Sequence, residues 1–325
     1  RREWGFDGFV VSDWGAIDQL GNHGIVPTIP DMARESFLAG VDMDMASAAY
    51  QAVLPAEIAA GRVPMAAIDE AVRRVLRVKF RAGLDREPPI LPPAEAEARM
   101  LAADTRALAV ETARRSLVLL KNEADLIPLA GARRIALVGG IADSPGDHVG
   151  PHAAKWKPAE VTTIRQAIEA RAARAGVAVD FRAGCTPDCR EGEAGFAAAG
   201  GAAEGADVVV AVLGEPGEIS GEAASRADLG LPGGQQRLLE SLVATGRPVV
   251  LVVVAGRPMT LPWAFEHVRA AVMAWYPGSV GAVALAEILF GDVAPSGRLP
   301  MTWPRHVGQI PITYDALRSG RPAGP

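Results

Sequence analysis

The chain has 325 residues, of which 49% are hydrophobic and 22% charged, a composition typical of a folded globular protein long enough to bury a sizeable core. Its formal net charge is -5 and no run of Lys or Arg stands out, which argues against nucleic acid or an anionic membrane surface as a partner. No apolar run approaches the roughly 20 residues of a membrane-spanning helix, so no membrane insertion is expected.

Strand-like and helix-like segments alternate at the start of the chain, over residues 5–12, 31–38, 41–45 and 66–81. The first segment, G-F-D-G-F-V-V-S, is apolar and predicts a buried strand that ends at Asp13. The last predicts an amphipathic helix, with Val72 and Leu76 on its apolar face, that Gly83 ends. This order predicts the C-terminal part of a (β/α)8 TIM-like barrel. Because the chain opens on R-R-E-W and enters a strand at once, we expect it to begin inside that domain.

Proline marks the predicted domain boundary. Residues 86–93 read R-E-P-P-I-L-P-P, and four prolines in six residues fit neither a helix interior nor a central strand. An Ala/Glu-rich helix is predicted to follow, from residue 95 to about 115. The predicted divisions are a partial barrel domain, a linker with its connecting helix, a second domain and a Gly-, Pro- and Arg-rich tail: 1–85, 86–115, 116–315 and 316–325.

Strands and helices alternate regularly in the second domain. The predicted strands are 135–138, 177–181, 208–213, 249–254 and 270–275. The predicted helices are 164–175, 194–204, 235–244 and 283–290. Near-continuous Val, Ile and Leu runs between helices are typical of a parallel sheet covered on both faces. The sequence therefore predicts an α/β fold whose second domain is an α/β sandwich with a mainly parallel sheet.

Asp13 is a candidate catalytic group because of its position. Active sites of β/α barrels lie at the C-terminal ends of the strands, where the predicted strand over 5–12 places this carboxylate. The alternative, a cap for a following helix, is equally compatible with position alone. Trp14 favours the catalytic interpretation, since the flat apolar face of an indole suits a sugar subsite.

Three glutamates, Glu215, Glu218 and Glu222, lie in a long loop after the predicted strand 208–213. Ligands of open α/β sheets bind beyond the carboxyl ends of the strands, so any of the three could act as an acid. On composition alone, solvated loop carboxylates are the more ordinary interpretation. Arg226 could orient or pair with one of them, or form a surface ion pair of little consequence. Together with Asp13, a glutamate of this loop would form the pair of carboxylates that glycoside hydrolysis uses.

Nothing in the sequence indicates a metal or a cofactor. The five histidines lack metal-ligand spacing, and we find no P-loop and no G-x-G-x-x-G motif between a strand and a helix. His23 and His152 lie in loops and could touch a ligand, although a loop histidine without a special role is the more ordinary interpretation. Cys185 and Cys189 allow a local disulfide or two free thiols, and the spacing alone favours free thiols.

Residues 5–16, G-F-D-G-F-V-V-S-D-W-G-A, closely resemble the nucleophile motif of glycoside hydrolase family 3, whose aspartate falls on Asp13. Further segments similar to the family follow in its order: 39–45, 68–84, 113–122, 231–235, 275–278 and 290–305. The loop G-E-I-S-G-E-A-A-S-R most resembles that of bacterial periplasmic-type β-glucosidases, which reads E-A-S-S-R, and the match places the acid/base on Glu222. The resemblance covers essentially the whole chain.

The resemblance implies a β-glucosidase that hydrolyses terminal non-reducing β-D-glucosyl residues with retention. It implies a covalent glycosyl intermediate on Asp13 and an acid/base role for Glu222. Trp14, His23 and Arg226 are the expected contacts of the β-glucoside or oligosaccharide substrate. No cofactor and no metal are implied. A periplasmic or extracellular location and a homodimer are the corresponding expectations for the full-length protein.

The chain departs from the family pattern in three respects. We find no counterpart of the first barrel strands, which hold the glycone hydroxyls, or of a C-terminal fibronectin-like domain, and His152 stands where relatives often carry Trp. Two alternatives therefore stay open. One is a β-xylosidase or β-N-acetylglucosaminidase of the same family, and the other is a non-catalytic fragment.

Overall fold

The computed structural model describes residues 1, 3–86, 90–315 and 317. The chain separates into two compact units, Arg1–Ala96 and a second unit that starts at Glu97. Part of the proline-rich boundary, residues 87–89, lies outside the described residues, as does nearly all of the predicted tail, 316–325. The division into domains at 85, 115 and 315 stays a prediction. Within the described residues, no helix combines the length and apolar composition needed to cross a bilayer.

The first unit is built from two short parallel strands and four helices. In chain order they are β1 (Val11–Trp14), α1 (Ala16–Gln19), α2 (Ile29–Leu38), β2 (Met43–Met45), α3 (Ala49–Ala59) and α4 (Met65–Arg81). β1 pairs in parallel with β2. Helices α2 and α3 bury a small core between them, centred on Ala33 and Val53. The predicted helices over 31–38 and 66–81 and the strand over 41–45 are confirmed, with shifted ends.

The prediction of a buried strand over 5–12 is wrong in two respects. β1 begins at Val11, six residues later than predicted. Val10 and Val11 remain 37% and 39% exposed, because β1 has one partner strand among the described residues and two strands cannot cover each other's faces. Similarly, Val72 and Leu76 on the apolar face of α4 stay 49% and 43% exposed. The apolar pattern identifies these elements, but this unit does not bury them.

The remaining elements are, in chain order, α5 (Pro93–Met100), α6 (Ala103–Ser116), β3 (Val118–Asn122), β4 (Arg134–Val138), α7 (Pro145–Val149), α8 (Ile164–Arg174), β5 (Ala178–Arg182), α9 (Phe196–Glu204), β6 (Val208–Gly214), α10 (Gln235–Ala244), β7 (Val249–Val254), α11 (Pro262–His267), β8 (Ala270–Met273) and α12 (Ala282–Phe290). Each strand and helix predicted for the second domain has its counterpart here, with ends that differ by at most two residues. The short helices α7 and α11 were not predicted.

A six-stranded mixed sheet organises the second unit, with strand order β3-β8-β7-β6-β4-β5. Neighbouring strands are parallel except β3, which runs antiparallel to β8 at one edge. Alternate residues of β6 point into two different apolar cores, Val210 and Val212 into one and Val209 and Ala211 into the other. All of β6 and β7 is buried, as the unbroken apolar runs predict for central parallel strands.

Two predicted elements end differently in the structure. The predicted continuous helix over 95–115 is wrong, because α5 and α6 are separate and Ala102 between them has an extended backbone with ψ 157°. Neither Leu101 nor Ala102 is a helix breaker, so the sequence carries no signal for this break. Strand β8 stops at Met273, two residues early, and Trp275 beyond it has φ 56°, a conformation incompatible with a strand.

The two cysteines form a disulfide, Cys185–Cys189, with Cα atoms 5.1 Å apart. The favoured prediction of two free thiols is therefore wrong, and the alternative of a local disulfide is realised. A tight turn brings the two residues together: the amide of Cys189 donates to the carbonyl of Thr186 at 2.9 Å, and Cys189 has φ 52°. A spacing of three intervening residues does not reveal a turn of this kind.

Glycines terminate two central strands and let the backbones approach closely. Gly139 follows β4 with φ 124°, and Gly214 ends β6 with φ 145°. A Cβ atom at Gly214 would lie 1.9 Å from the carbonyl oxygen of Val254, and one at Gly139 would lie 2.0 Å from that of Val212. Only glycine fits either position. The loop that follows β6 therefore starts from a point fixed against β7.

We predict that Gly214→Ala lowers the stability of the second unit by at least about 3 kcal/mol, from the positive φ and the clash with Val254 together. The matched control is Gly201→Ala, in the exposed face of α9 with nothing within 4 Å of the added Cβ, which should stabilise by about 0.5–1 kcal/mol. Urea denaturation followed by tryptophan fluorescence measures both. Equal denaturation midpoints for Gly214→Ala and the parent would contradict this role of Gly214.

Candidate functional site

Asp13 lies within β1, not after it, and its side chain is exposed. Strand pairing fixes the backbone around it: the amide of Met45 donates to the Ser12 hydroxyl at 2.9 Å, and the amide of Gly15 donates to the Met45 carbonyl at 2.8 Å. One oxygen of Asp13 accepts a hydrogen bond from the amide of Trp14 at 2.7 Å. Helix α1 begins after Gly15, and no side chain caps it, so the alternative role of Asp13 as a helix cap is not realised.

Trp14 and His23, the other predicted site residues of the first unit, are both exposed. The indole of Trp14 is 74% exposed and follows Asp13 directly in β1. His23 lies in the turn after α1, where its amide donates to the carbonyl of Gln19 at 3.2 Å. Both side chains are accessible to a ligand.

Asp42 supports β1 from the end of the strand pair opposite Asp13, a role that the sequence analysis missed. Its side chain is only 2% exposed, and it accepts hydrogen bonds from the guanidinium groups of Arg1 and Arg74 and, at 2.9 Å, from the amide of Val10. The bond to Arg74 is 2.8 Å long and ties α4 to the start of the strands. Asp42 therefore fixes the strand that presents Asp13.

The three glutamates of the loop after β6 have different surroundings, which the sequence could not distinguish. Glu215 is completely buried, whereas Glu218 and Glu222 are exposed. The carboxylate of Glu215 accepts a hydrogen bond from Arg226 at 2.5 Å and one from Arg257 at 3.0 Å. Both oxygens of Glu215 are thus occupied by permanent cations, so Glu215 is a fixed counter-ion and not an available acid.

Arg226 pairs with a carboxylate, and that carboxylate belongs to Glu215. The second terminal nitrogen of Arg226 donates to the carbonyl of Gly230 at 2.9 Å, and the side chain is 16% exposed. These bonds occupy the guanidinium within the protein. Its predicted contact with substrate stays a prediction.

Glu222 lines a cavity of about 680 Å³ in the second unit. Other polar side chains of the lining are Glu218, Ser220, His152, Asp188 and Asp147. Pro187 and Asp188 belong to the loop that the Cys185–Cys189 disulfide closes. A polar cavity with exposed carboxylates is suited to a ligand rich in hydroxyl groups, and the carboxylate of Glu222 is exposed there.

Buried polar side chains hold the walls of this cavity, and the sequence analysis missed them. Asp147 accepts hydrogen bonds from the amide of Gly217 at 2.8 Å and from the hydroxyl of Ser144 at 2.6 Å, which joins α7 to the loop after β6. The side chain of Gln235 exchanges two hydrogen bonds with the backbone of Gly214, at 2.8 and 2.9 Å, and donates at 2.6 Å to the carbonyl of Pro187, which lines the cavity. A single sequence shows no periodicity or spacing that marks such supports.

His148, next to Asp147, is completely buried in its neutral form. The amide of Ile164 donates to its Nε2 at 3.0 Å, so that nitrogen carries no proton, and Nδ1 donates to the carbonyl of Ser144 at 2.5 Å. Burial lowers the pKa of His148 below its ordinary value, against the opposing effects of the bond to Ser144 and of the carboxylates of Asp147 and Asp143. Protonation would break the bond to Ile164.

No group of three or more His, Cys, Asp or Glu side chains is placed to hold a metal ion in the part of the chain that the structure describes.

Both units match known protein families. Residues 1–78 match the family model of the glycosyl hydrolase family 3 N-terminal domain, and residues 117–323 match that of the glycosyl hydrolase family 3 C-terminal domain. The chain is 39% identical to the periplasmic beta-glucosidase of Salmonella typhimurium, over 100% of the chain and 45% of that protein. It is 33% identical to a beta-xylosidase of Formosa agariphila, over 99% of the chain and 46% of that protein.

The fold is also similar to solved structures. The beta-glucosidase from Listeria innocua in complex with isofagomine matches with a TM-score of 0.89 and 34% identity, over 99% of this chain and 44% of that one. The chain spans slightly less than half the length of these relatives.

We predict that stability falls as the pH drops below about 6.5, because the unfolded chain then binds a proton that buried His148 resists. Above pH 6.5 the neutral form exists in both states and the effect is absent. The slope due to this one proton is at most about 1.4 kcal/mol per pH unit. His148→Gln should flatten the profile below about pH 6.5, whereas the exposed control His306→Gln should keep it. Urea denaturation at each pH measures this, and identical slopes for His148→Gln and the parent would refute it.

Proposed function

The chain belongs to glycoside hydrolase family 3, and on that premise we propose that the protein is a retaining β-glucosidase with Asp13 as nucleophile and Glu222 as acid/base. The observation that narrows the choice is a contrast within one loop: Glu215 is locked between two arginines, whereas Glu218 and Glu222 are both exposed on the cavity. The resemblance of E-A-A-S-R, residues 222–226, to the loop of the bacterial enzymes then favours Glu222. The assignment of Asp13 as nucleophile is supported by the exposure of its carboxylate and by the pairing with β2 that fixes its backbone.

In the proposed reaction, a carboxylate oxygen of Asp13 attacks the anomeric carbon of a terminal β-D-glucosyl residue. Glu222 donates its proton to the glycosidic oxygen as the bond to the leaving group breaks. The product of this step is a covalent glycosyl ester on Asp13. Glu222, now a carboxylate, removes a proton from water, the hydroxide displaces Asp13, and glucose leaves with its original configuration. Trp14 and His23 are proposed to contact the sugar.

Membership of the family also supports proposals about the architecture of the two units and the location of the protein. We propose that the first unit is the C-terminal part of a TIM-like barrel and that the second is an α/β sandwich. The periplasmic name of the Salmonella relative supports a periplasmic location. A homodimer stays a prediction.

A β-xylosidase is the second candidate, because the chain is 33% identical to the Formosa beta-xylosidase over nearly its whole length. Xylosides lack the hydroxymethyl group of glucosides. The ratio of kcat/KM for an aryl β-glucoside to that for the matching aryl β-xyloside, measured on the full-length protein, separates the two candidates.

We predict that Glu222→Ala in the full-length protein lowers kcat/KM for cellobiose by about 10²–10⁴-fold, the usual contribution of a general acid. Dinitrophenyl β-glucoside should be affected far less, because dinitrophenolate departs without a proton. The variant also lacks the base that activates water, so azide should raise kcat for the aryl substrate and yield β-glucosyl azide. The control is Glu218→Ala, a neighbouring exposed glutamate of the same loop, which should show neither effect. The reverse pattern would show that Glu218 is the acid/base.

A further inference from the structure

We propose that Arg257 is a positioning residue that fixes the loop on either side of Glu222, with Glu215 as its buried counter-ion. The proposal rests on the proposed function, in that it takes Glu222 to be the acid/base. Arg257 follows β7 by three residues and is outside the loop that it contacts.

One guanidinium group reaches the loop both before and after Glu222. Its terminal nitrogen Nη2 donates to the carbonyl of Ala224 at 3.2 Å, and to the carbonyl of Ile219 and the hydroxyl of Ser220 at 3.4 Å each. Ser220 and Ala224 lie two residues before and two residues after Glu222. Because the guanidinium is planar and its Nε is bound to Glu215, Nη2 is held in place, and its bonds to the two loop segments set their spacing.

The loop needs such a contact because its backbone is unfavourable directly after Glu222. Ala223 has φ 59° and Gly221 has φ 113°, both in the left-handed range. For Ala223, whose Cβ opposes this conformation, the cost is on the order of 1–3 kcal/mol. Contacts from outside the loop must offset it, and the bond from Arg257 to Ala224 is adjacent to the strained residue.

The end of β7 is shaped to receive the loop. A Cβ atom on Gly256 would lie 2.6 Å from the hydroxyl oxygen of Ser220 and 3.1 Å from the ring of Tyr276. Ser220 is 5% exposed, so the segment before Glu222 is packed against the residue that precedes Arg257. This close packing and the arginine contacts act on the same few residues.

Glu215 anchors Arg257 to the sheet. The Nε of Arg257 donates to Glu215 at 3.0 Å, and the backbone of Glu215 is held by the Val254 carbonyl at 2.8 Å and the Tyr276 hydroxyl at 3.1 Å. Without a neutralising carboxylate, a guanidinium that is only 26% exposed would be costly to keep here. The sheet therefore holds Glu215, Glu215 holds Arg257, and Arg257 holds the loop around Glu222.

The test compares kcat/KM for cellobiose and for dinitrophenyl β-glucoside in four variants of the full-length protein: Arg257→Met, Arg257→Lys, Glu222→Ala and the control Arg171→Met. Arg171 is a similarly covered arginine that pairs with Asp292 in the same unit, so its loss matches Arg257→Met in charge and burial without touching the loop. A misplaced acid should slow cellobiose hydrolysis by about 10²-fold, and the aryl glucoside much less, because its leaving group needs no proton.

We expect Arg257→Met to show this leaving-group bias and Arg171→Met to show none. Arg257→Lys keeps a charge for Glu215, but its single nitrogen cannot pair with Glu215 and also reach both loop segments. It should therefore show a smaller bias in the same direction, and it carries the test if Arg257→Met does not fold. Equal losses on the two substrates in the folded Arg257 variants, with the bias present in Glu222→Ala, would overturn the positioning role alone. Absence of the bias in Glu222→Ala would overturn the assignment of the acid, and the role of Arg257 with it.

Discussion

The conformation of the loop after β6 depends on the ion pairs that the buried carboxylate of Glu215 forms. This carboxylate accepts one hydrogen bond from each of two arginines, Arg226 and Arg257, which in turn hold different parts of the loop. Removing either arginine would leave a buried charge poorly compensated, so the three side chains act as a unit. Their place is set by Gly214, since only glycine lets the end of β6 approach β7 closely enough for the amide of Glu215 to reach the carbonyl of Val254. The conformation of an exposed loop is thereby determined by the packing of the central strands.

In both units the candidate catalytic side chain is exposed and its supports are buried. Asp13 lies on a strand that Asp42, only 2% exposed, ties to its neighbours. Glu222 lies on a loop whose backbone is hydrogen-bonded to the side chains of Asp147 and Arg257. Buried polar groups must find partners to offset the cost of leaving water, and here the partners they find are backbone groups of the functional segments. The need to satisfy buried hydrogen bonds thus also gives the sites their rigidity.

The strands of the sheet can be predicted from their apolar runs, whereas backbone conformations that depend on distant contacts cannot be predicted from the local sequence. The prediction for β7 is correct to the residue and that for β6 lacks only Gly214, because unbroken Val and Leu runs can be buried only as central strands. The late start of β1 and the break at Ala102 carry no local signal. The Cys185–Cys189 bridge depends on a turn that composition does not encode. For the candidate site, the ends of the predicted strands indicated Asp13 and a loop with three glutamates. What distinguishes Glu215 from Glu218 and Glu222 is its pairing with two arginines. One of these, Arg257, lies in a distant segment of the sequence, so the sequence alone did not reveal the pairing.

The central claim is that Asp13 forms a covalent bond to the sugar, and trapping that intermediate tests it most directly. A 2-deoxy-2-fluoro-β-glucoside with a dinitrophenolate leaving group slows both steps but retains a departing group good enough for the first, so the glycosyl-enzyme accumulates. The full-length protein would be incubated with this compound, digested, and its peptides sequenced by mass spectrometry. The account predicts one added 2-fluoroglucosyl group, on Asp13. A label on a different carboxylate, or turnover without any covalent adduct, would contradict it.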